Sequence, residues 1–225
     1  MRSVTSKAPS TSDLPLKEKA YLHIKKLLLN EDIPVNSFLS ERGLAEQLGM
    51  SKTPVRLAIE RLENEGFVRV SPQQGIVVVA LSFEDILDYI EFRLALECFV
   101  VEQIAGKLTT EQVKALQQNL EQQIKLMEQE GDVREQLVVS DMAFHRLLAE
   151  FKGNAQILQA LEWQQDMIFR VANRVYERHP VRSATSIEEH EAIAKAVIKG
   201  QKAKAATLMS DHIQKIKSLL IETSN

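Results

Sequence analysis

The chain has 225 residues, 44% hydrophobic and 26% charged, a net charge of −3 and one cysteine, Cys98. Such a composition suits a folded protein of one large or two modest domains, excludes an intrachain disulfide and fits a reducing compartment. The longest apolar run, Ile76 to Leu81, is too short to span a bilayer, and the N-terminus lacks the apolar stretch of a secretory leader, so a cytoplasmic location is expected.

Charge is unevenly spread, with 11 Lys/Arg against 9 Asp/Glu over residues 1–80 and 17 against 22 over 81–225. The asymmetry is too mild to announce a nucleic-acid partner, so that case rests on where individual cations fall. Residues 1–14, rich in Ser, Thr and Pro, predict a flexible tail. A helix follows over about 16–29, with Ala20, Ile24, Leu27 and Leu28 on one face, and then a polar link over 30–38. Ser40 opens a second helix that Gly49 ends, and Ser51 opens a third that runs to about Glu65 before Gly66. The period then changes. Phe67–Val70 and Ile76–Val79 are β-branched runs around a glycine-containing loop, which predicts a two-stranded hairpin. Beyond Leu81 strand signals stop, and helices are expected over about 83–106, 110–130, 133–151, 154–178, 184–199 and 201–222. The fold expected is therefore mainly α, a winged helix-turn-helix over 15–80 followed by an all-α six-helix bundle over 83–222.

In the first domain the turn Leu48-Gly49-Met50-Ser51 is tight because glycine accepts a positive φ. The helix after it presents Lys52, Thr53 and Arg56 in its first turns, where such side chains reach phosphates and base edges of the major groove. Arg42 is placed to touch the backbone, and Gln74 and Gly75 form the wing tip. Three cations on a helix, here Lys52, Arg56 and Arg61, are more often a solvated face, but the glycine turn before this one and the hairpin after it favour DNA.

The second domain has polar residues inside apolar stripes: Val138, Asp141, His145, Leu148; Ile187, His190, Ala194, Val197; Leu208, His212, Ile216, Leu219. A lone histidine on an apolar face is usually a satisfied core residue. Here one carboxylate and three imidazoles share interior positions, and burying them unpaired is costly. Together they make an N3O set that suits Zn, Ni, Fe or Mn. A further stripe, Ile86, Ile90, Arg93, Glu97, Val101, admits two readings: an i,i+4 ion pair, or an arginine that clamps a ligand carboxylate.

Residues 40–79 resemble the DNA-binding domain of the GntR family. The resemblance is carried by Ser40-Glu41-Arg42, Leu44-Ala45, Lys52-Thr53-Pro54-Val55-Arg56, Ala58, Leu62, Gly66 and Gly75. It implies DNA contacts from Arg42, Lys52, Thr53, Arg56, Gln74 and Gly75. The family often has Arg where this chain has Lys52, and lysine makes poorer bidentate base contacts. Residues 83–222 resemble the FCD effector domain of the FadR-type branch, through Phe92-Arg93, Leu96-Glu97, Asp141, Phe144-His145, Leu148, Glu189-His190, Ile193 and His212-Ile213. The six expected helices are similar to its smaller VanR-like variety.

The resemblance implies that Asp141, His145, His190 and His212 hold a divalent metal ion, Zn or Ni first and Fe or Mn as alternatives, with Arg93 near an effector pocket. The expected protein is a non-enzymatic transcription regulator, a repressor relieved by a small carboxylic acid. It would bind pseudo-palindromic operator DNA as a homodimer, away from membranes. Two rival readings are a metal-dependent hydrolase joined to a DNA-binding module and a regulator whose metal is purely structural. Against the first, HExxH is absent and no interior general base is evident.

Overall fold

The computed structural model describes residues 14–71 and 75–222, with side chains as far as residue 220. The expected tail, except Leu14, and the wing residue Gln74 lie outside the described residues. The chain divides into two compact units, Met1–Leu81 and Ser82–Asn225.

The first unit contains α1 (Leu16–Leu29), β1 (Phe38–Leu39), α2 (Glu41–Leu48), α3 (Lys52–Asn64), β2 (Val68–Ser71) and β3 (Gly75–Val78). Ser40 caps α2 by accepting a bond from the Gly43 amide at 3.0 Å, and Gly49 closes it in the left-handed region at φ 61°. Ser51 stands at the start of α3, but its side chain makes no capping bond. Ala20 and Ile24 of α1, Leu44 and Ala45 of α2, and Val55 and Leu62 of α3 close the core beneath the sheet residues Val68 and Ile76. The small Ala45 lets α2 cross close to α3.

The sheet has three strands in the order β1-β3-β2, all antiparallel, where a two-stranded hairpin was expected. The extra strand comes from the end of the segment expected as a polar link: Phe38 lies opposite Val77 and Leu39 opposite Ile76. Two residues are too few to carry a two-residue alternation, and the Phe38 side chain is exposed, so no sequence signal marked the strand.

The second unit is helical: α4 (Phe83–Ile104), α5 (Thr110–Met127), α6 (Arg134–Lys152), α7 (Ala155–Trp163), α8 (Gln165–Arg178), α9 (Val181–Ile198) and α10 (Lys202–Glu222). Reciprocal capping boxes start α4 (Ser82 with Asp85) and α5 (Thr109 with Gln112), and the Asn154 side chain caps α7. α6 packs against α4, α5, α7 and α8, while α10 packs on α4 and α9.

The single helix expected over 154–178 is two, divided at Gln164 (φ −93°, ψ 2°), so the described bundle has seven helices where six were expected. No Gly or Pro stands at the break, which hid it from the sequence. What turns the chain is the core: Leu161 of α7 and Ile168 of α8 are both buried, while Trp163 between them is 78% exposed.

Candidate metal centre and nucleic-acid interface

The apolar stripe of α6 brings Asp141 and His145 into the bundle one turn apart, α9 brings His190, and α10 brings His212. All four are buried, and one ligand atom from each lies within 4.8 Å of the others. The Nε2 atoms of His145 and His212 are 3.2 Å apart. His190 Nε2 lies 3.5 Å from Asp141 Oδ1, and His145 Nε2 lies 3.9 Å from Asp141 Oδ2. The His190 ring stacks on Phe144 with centroids 4.0 Å apart.

Each imidazole is held from behind by its other nitrogen. His190 Nδ1 is 3.0 Å from Gln123 Oε1. The Gln123 amide is oriented in turn, because its Nε2 donates to Asn119 Oδ1 at 2.7 Å and Asn119 Nδ2 donates to the Ser140 carbonyl at 3.1 Å. An amide oxygen can only accept, so His190 carries its proton on Nδ1 and aims an Nε2 lone pair inward. That buried Nε2 has no hydrogen-bond partner.

His212 Nδ1 meets the Glu189 carboxylate at 2.7 Å, and Glu189 is itself paired with Arg182 at 2.8 Å and Lys215 at 2.5 Å. His145 Nδ1 lies 2.5 Å from Glu97 Oε2, a close contact that departs from the direction of an ideal hydrogen bond. Such outer partners fix the tautomer and aim of metal-binding histidines.

The electrostatics agree with this geometry. Burial pushes the His190 ring far down and the His212 ring down to about 4, so both are neutral and ready to donate a lone pair at pH 7. Burial acts to raise the Asp141 carboxyl, but the positive charge that His190, His145, His212 and Arg93 present at low pH outweighs it and holds the carboxyl below its usual range. Asp141 Oδ1 also accepts from Tyr176 at 2.9 Å and Ser186 at 3.0 Å. With His145 and His212 each protonated on the Nδ1 that faces Glu97 or Glu189, their Nε2 lone pairs would converge 3.2 Å apart and repel unless a cation sat between them. Nitrogen ligands about 2.0–2.1 Å from an ion stand roughly 2.8–3.4 Å apart across adjacent octahedral or tetrahedral positions. The four residues fit a divalent ion.

Arg93, expected beside the effector, is buried and bonded to Glu97, Nε to Oε1 at 2.5 Å and Nη2 to Oε2 at 3.3 Å. Burial tends to raise the Glu97 carboxyl, but Arg93 and His145 hold it below the usual range. Of the two readings left open by sequence, the ion pair is the one seen in this state. Sequence reasoning missed Gln123, Glu189, Arg182 and Tyr176 as supports. The signal for Gln123 was there: with Leu116, Asn119 and Leu126 it forms the buried face of α5, a polar break in an apolar stripe. In α10 the buried positions are Ala205, Met209, His212, Ile213, Ile216 and Leu220, while Leu208 and Leu219 are only half-buried.

A cavity of about 230 Å³ adjoins this centre. Val139, Met142, Ala143, Leu158, Leu161 and Ile168 supply its apolar wall. Glu97 and His145 also line it, as do Arg146, Glu162 and Gln165.

In the first unit Lys52, Thr53 and Arg56 are all exposed at the N-terminal end of α3, with Pro54 and Val55 turned into the core. Arg42, on exposed α2, pairs with Glu46 at 2.8 Å. Gly75 has a structural duty besides its place beside the wing tip. Its φ is +83°, and an added Cβ would stand 2.8 Å from the Leu39 carbonyl oxygen.

The description "Bacterial regulatory proteins, gntR family" matches residues 16–78, and the FCD domain matches residues 88–215. The HTH-type transcriptional regulator YdhC of Bacillus subtilis is 27% identical over 184 residues, covering 81% of this chain and 80% of the relative. The HTH-type transcriptional repressor RspR of Escherichia coli is 25% identical over 202 residues, covering 90% and 87%. Among solved structures, McbR/YncC of E. coli superposes with a TM-score of 0.73 at 25% identity, over 94% of this chain and 100% of that one. No helix among the described residues is long and apolar enough to cross a membrane. A helix-turn-helix with its cations exposed, a wing and a helical unit with a buried ligand set thus coincide with both family matches: the chain belongs to the GntR family of bacterial regulatory proteins, as an FCD-type DNA-binding transcriptional regulator and not an enzyme.

Proposed function

We propose that the protein is a cytoplasmic repressor whose grip on a pseudo-palindromic operator is released by a small carboxylic acid bound at a metal-containing centre. In this reading residues 15–80 are the DNA-binding domain and 83–222 the sensor. The observation that carries it is the convergence of Asp141, His145, His190 and His212, within 4.8 Å, on a point each histidine faces with its Nε2. Zn or Ni suits three imidazoles and one carboxylate best, with Fe or Mn as alternatives. A bound ion would supply a positive charge and an open position for a carboxylate oxygen.

Lys52, Thr53, Arg56 and Arg42 are the proposed operator contacts, with Gln74 and Gly75 at the wing. A homodimer follows from the symmetry of such operators, whose half-sites match a two-fold protein.

The switch we propose is an exchange of partners. Arg93 is bonded to Glu97, which also touches His145 on α6. An incoming carboxylate competes with Glu97 for Arg93 and loosens the tie between α4 and α6. Because the acid interacts differently with the two arrangements, it can shift their populations. α4 begins directly after the winged unit in sequence and would carry the change.

Two experiments test the reading. Arg56→Ala is expected to weaken operator binding tenfold or more in a gel-shift titration, and wild-type binding should fall steeply with salt. His190→Ala with His212→Ala is expected to abolish co-purified metal by elemental analysis and to remove the response of operator binding to acids. Full metal content in the double variant would overturn the centre. The depth of the ligand set also suits an ion that only staples helices. In that case chelation lowers stability, but no acid changes operator affinity.

A further inference from the structure

We infer that the acid sensed by this protein has a compact apolar body, which lies in the cavity between α6, α7 and α8 while its carboxylate faces the metal centre. The inference rests on the sensor reading above and names the class of its ligand.

Three observations carry it. First, the cavity and the centre share a wall: His145 supplies a ligand nitrogen and also lines the cavity, and Glu97 behind it does the same. These two side chains are buried, whereas Arg146, with 59% of its side chain exposed, is joined to Glu162 of α7 at 3.2 Å, which marks that end as the mouth. Second, apart from Glu97 and His145 at the centre and Arg146, Glu162 and the exposed Gln165, the lining is Val139, Met142, Ala143, Leu158, Leu161 and Ile168, none of which offers a strong hydrogen-bonding group to a ligand hydroxyl. A hydroxyl buried there loses its water without replacement, which weakens binding by on the order of tenfold for each. Third, the size is limiting. A cavity of about 150 Å³ holds benzene, so about 230 Å³ accommodates roughly nine non-hydrogen atoms.

A divalent ion at the centre would supply the positive charge and the open position that a carboxylate head needs. The break at Gln164 belongs to the same design, because it turns α7 over α6 to give Leu158 and Leu161 as the outer wall.

The test uses the zinc-loaded full chain and titration calorimetry with benzoate, 4-methylpentanoate, acetate and the polyhydroxy acid erythronate, which has as many non-hydrogen atoms as benzoate. Benzoate or 4-methylpentanoate is expected to bind at least tenfold more tightly than erythronate and acetate, and only when zinc is present. Ala143→Phe, which fills the cavity, should weaken that binding at least tenfold with zinc content unchanged. Ala143→Leu should do so more mildly and provides a smaller filling if the first variant does not fold by circular dichroism. Erythronate binding as tightly as benzoate, or folded cavity-filled variants binding benzoate like the wild type, would overturn the inference. If erythronate alone binds and releases operator, the sensor reading survives and only the apolar class fails. If no acid binds and no zinc is retained, both fail.

Discussion

Gln123 carries no charge, yet it decides which nitrogen of His190 bears a proton. Its oxygen faces His190 Nδ1 at 3.0 Å, and its own NH2 is committed to Asn119. Gln123→Leu is expected to reduce zinc affinity 10–100-fold, the usual effect of losing such an outer support. Gln123→Glu keeps an acceptor and should lose less, and competition with a chromogenic chelator measures both. Equal affinities in Gln123→Leu and the wild type would show that His190 needs no orienting partner. Glu97→Gln is expected to act through the other imidazole. It weakens the hold on His145 and leaves Arg93 buried without an anion, so stability should fall along with zinc affinity. At this scale the four converging side chains were legible as polar interruptions, because a buried His or Asp breaks an apolar stripe on its own helix. Gln123 was legible in the same way as a polar break in α5, but its partner was not. Gln123 serves a histidine 67 positions away, and no spacing along one helix reveals that partnership.

Among the elements, α1 and α3 are clasped by a small charged cluster. The Tyr21 hydroxyl donates to Glu65 at 2.9 Å, Lys25 reaches Glu65 at 3.2 Å, and Arg61 bonds Glu65 at 3.0 Å while lying 3.5 Å over the Tyr21 ring. Burial pushes the Glu65 carboxyl up, but the bonds from Tyr21, Lys25 and Arg61 prevail and hold it below the ordinary 4.5. A depressed carboxylate stabilises the fold above its unfolded value, and that contribution is lost as pH falls through the folded one. The protection factors of the α1 amides are therefore expected to fall below about pH 4.5, by an amount set by about 1 kcal/mol for so accessible a cluster. In Glu65→Gln that pH step should be missing. The wing is braced differently. Gly75→Ala would need a positive φ and a Cβ 2.8 Å from the Leu39 oxygen, so a loss of about 1–3 kcal/mol is expected in denaturant unfolding. Helix ends marked by Ser40, Gly49 and Ser82 were readable in advance because side-chain caps and glycine turns are local chemistry. β1 and the break at Gln164 were not, since pairing with β3 and burial of Leu161 and Ile168 fix them from a distance.

Considered whole, the molecule keeps its Asp141–His145–His190–His212 cluster in one unit and the exposed cations of α3 in the other. An ion that binds only the folded state stabilises it by mass action. If the proposed ion is bound, chelation is expected to raise amide exchange in α6, α9 and α10, which carry Asp141, His145, His190 and His212, and to leave α1 to α3 unchanged. Uniform loosening of both units would count against a centre confined to residues 141–212.

The corner between α7 and α8 has one more consequence. The chain contains a single tryptophan, and it stands at that corner with its indole 78% exposed. Its emission should lie at the red end of the tryptophan range, and any repacking of the corner around an occupant should shift that emission toward the blue. The protein thus carries a built-in optical probe at the place where we expect it to respond, and its signal can be followed without a label in the wild-type chain.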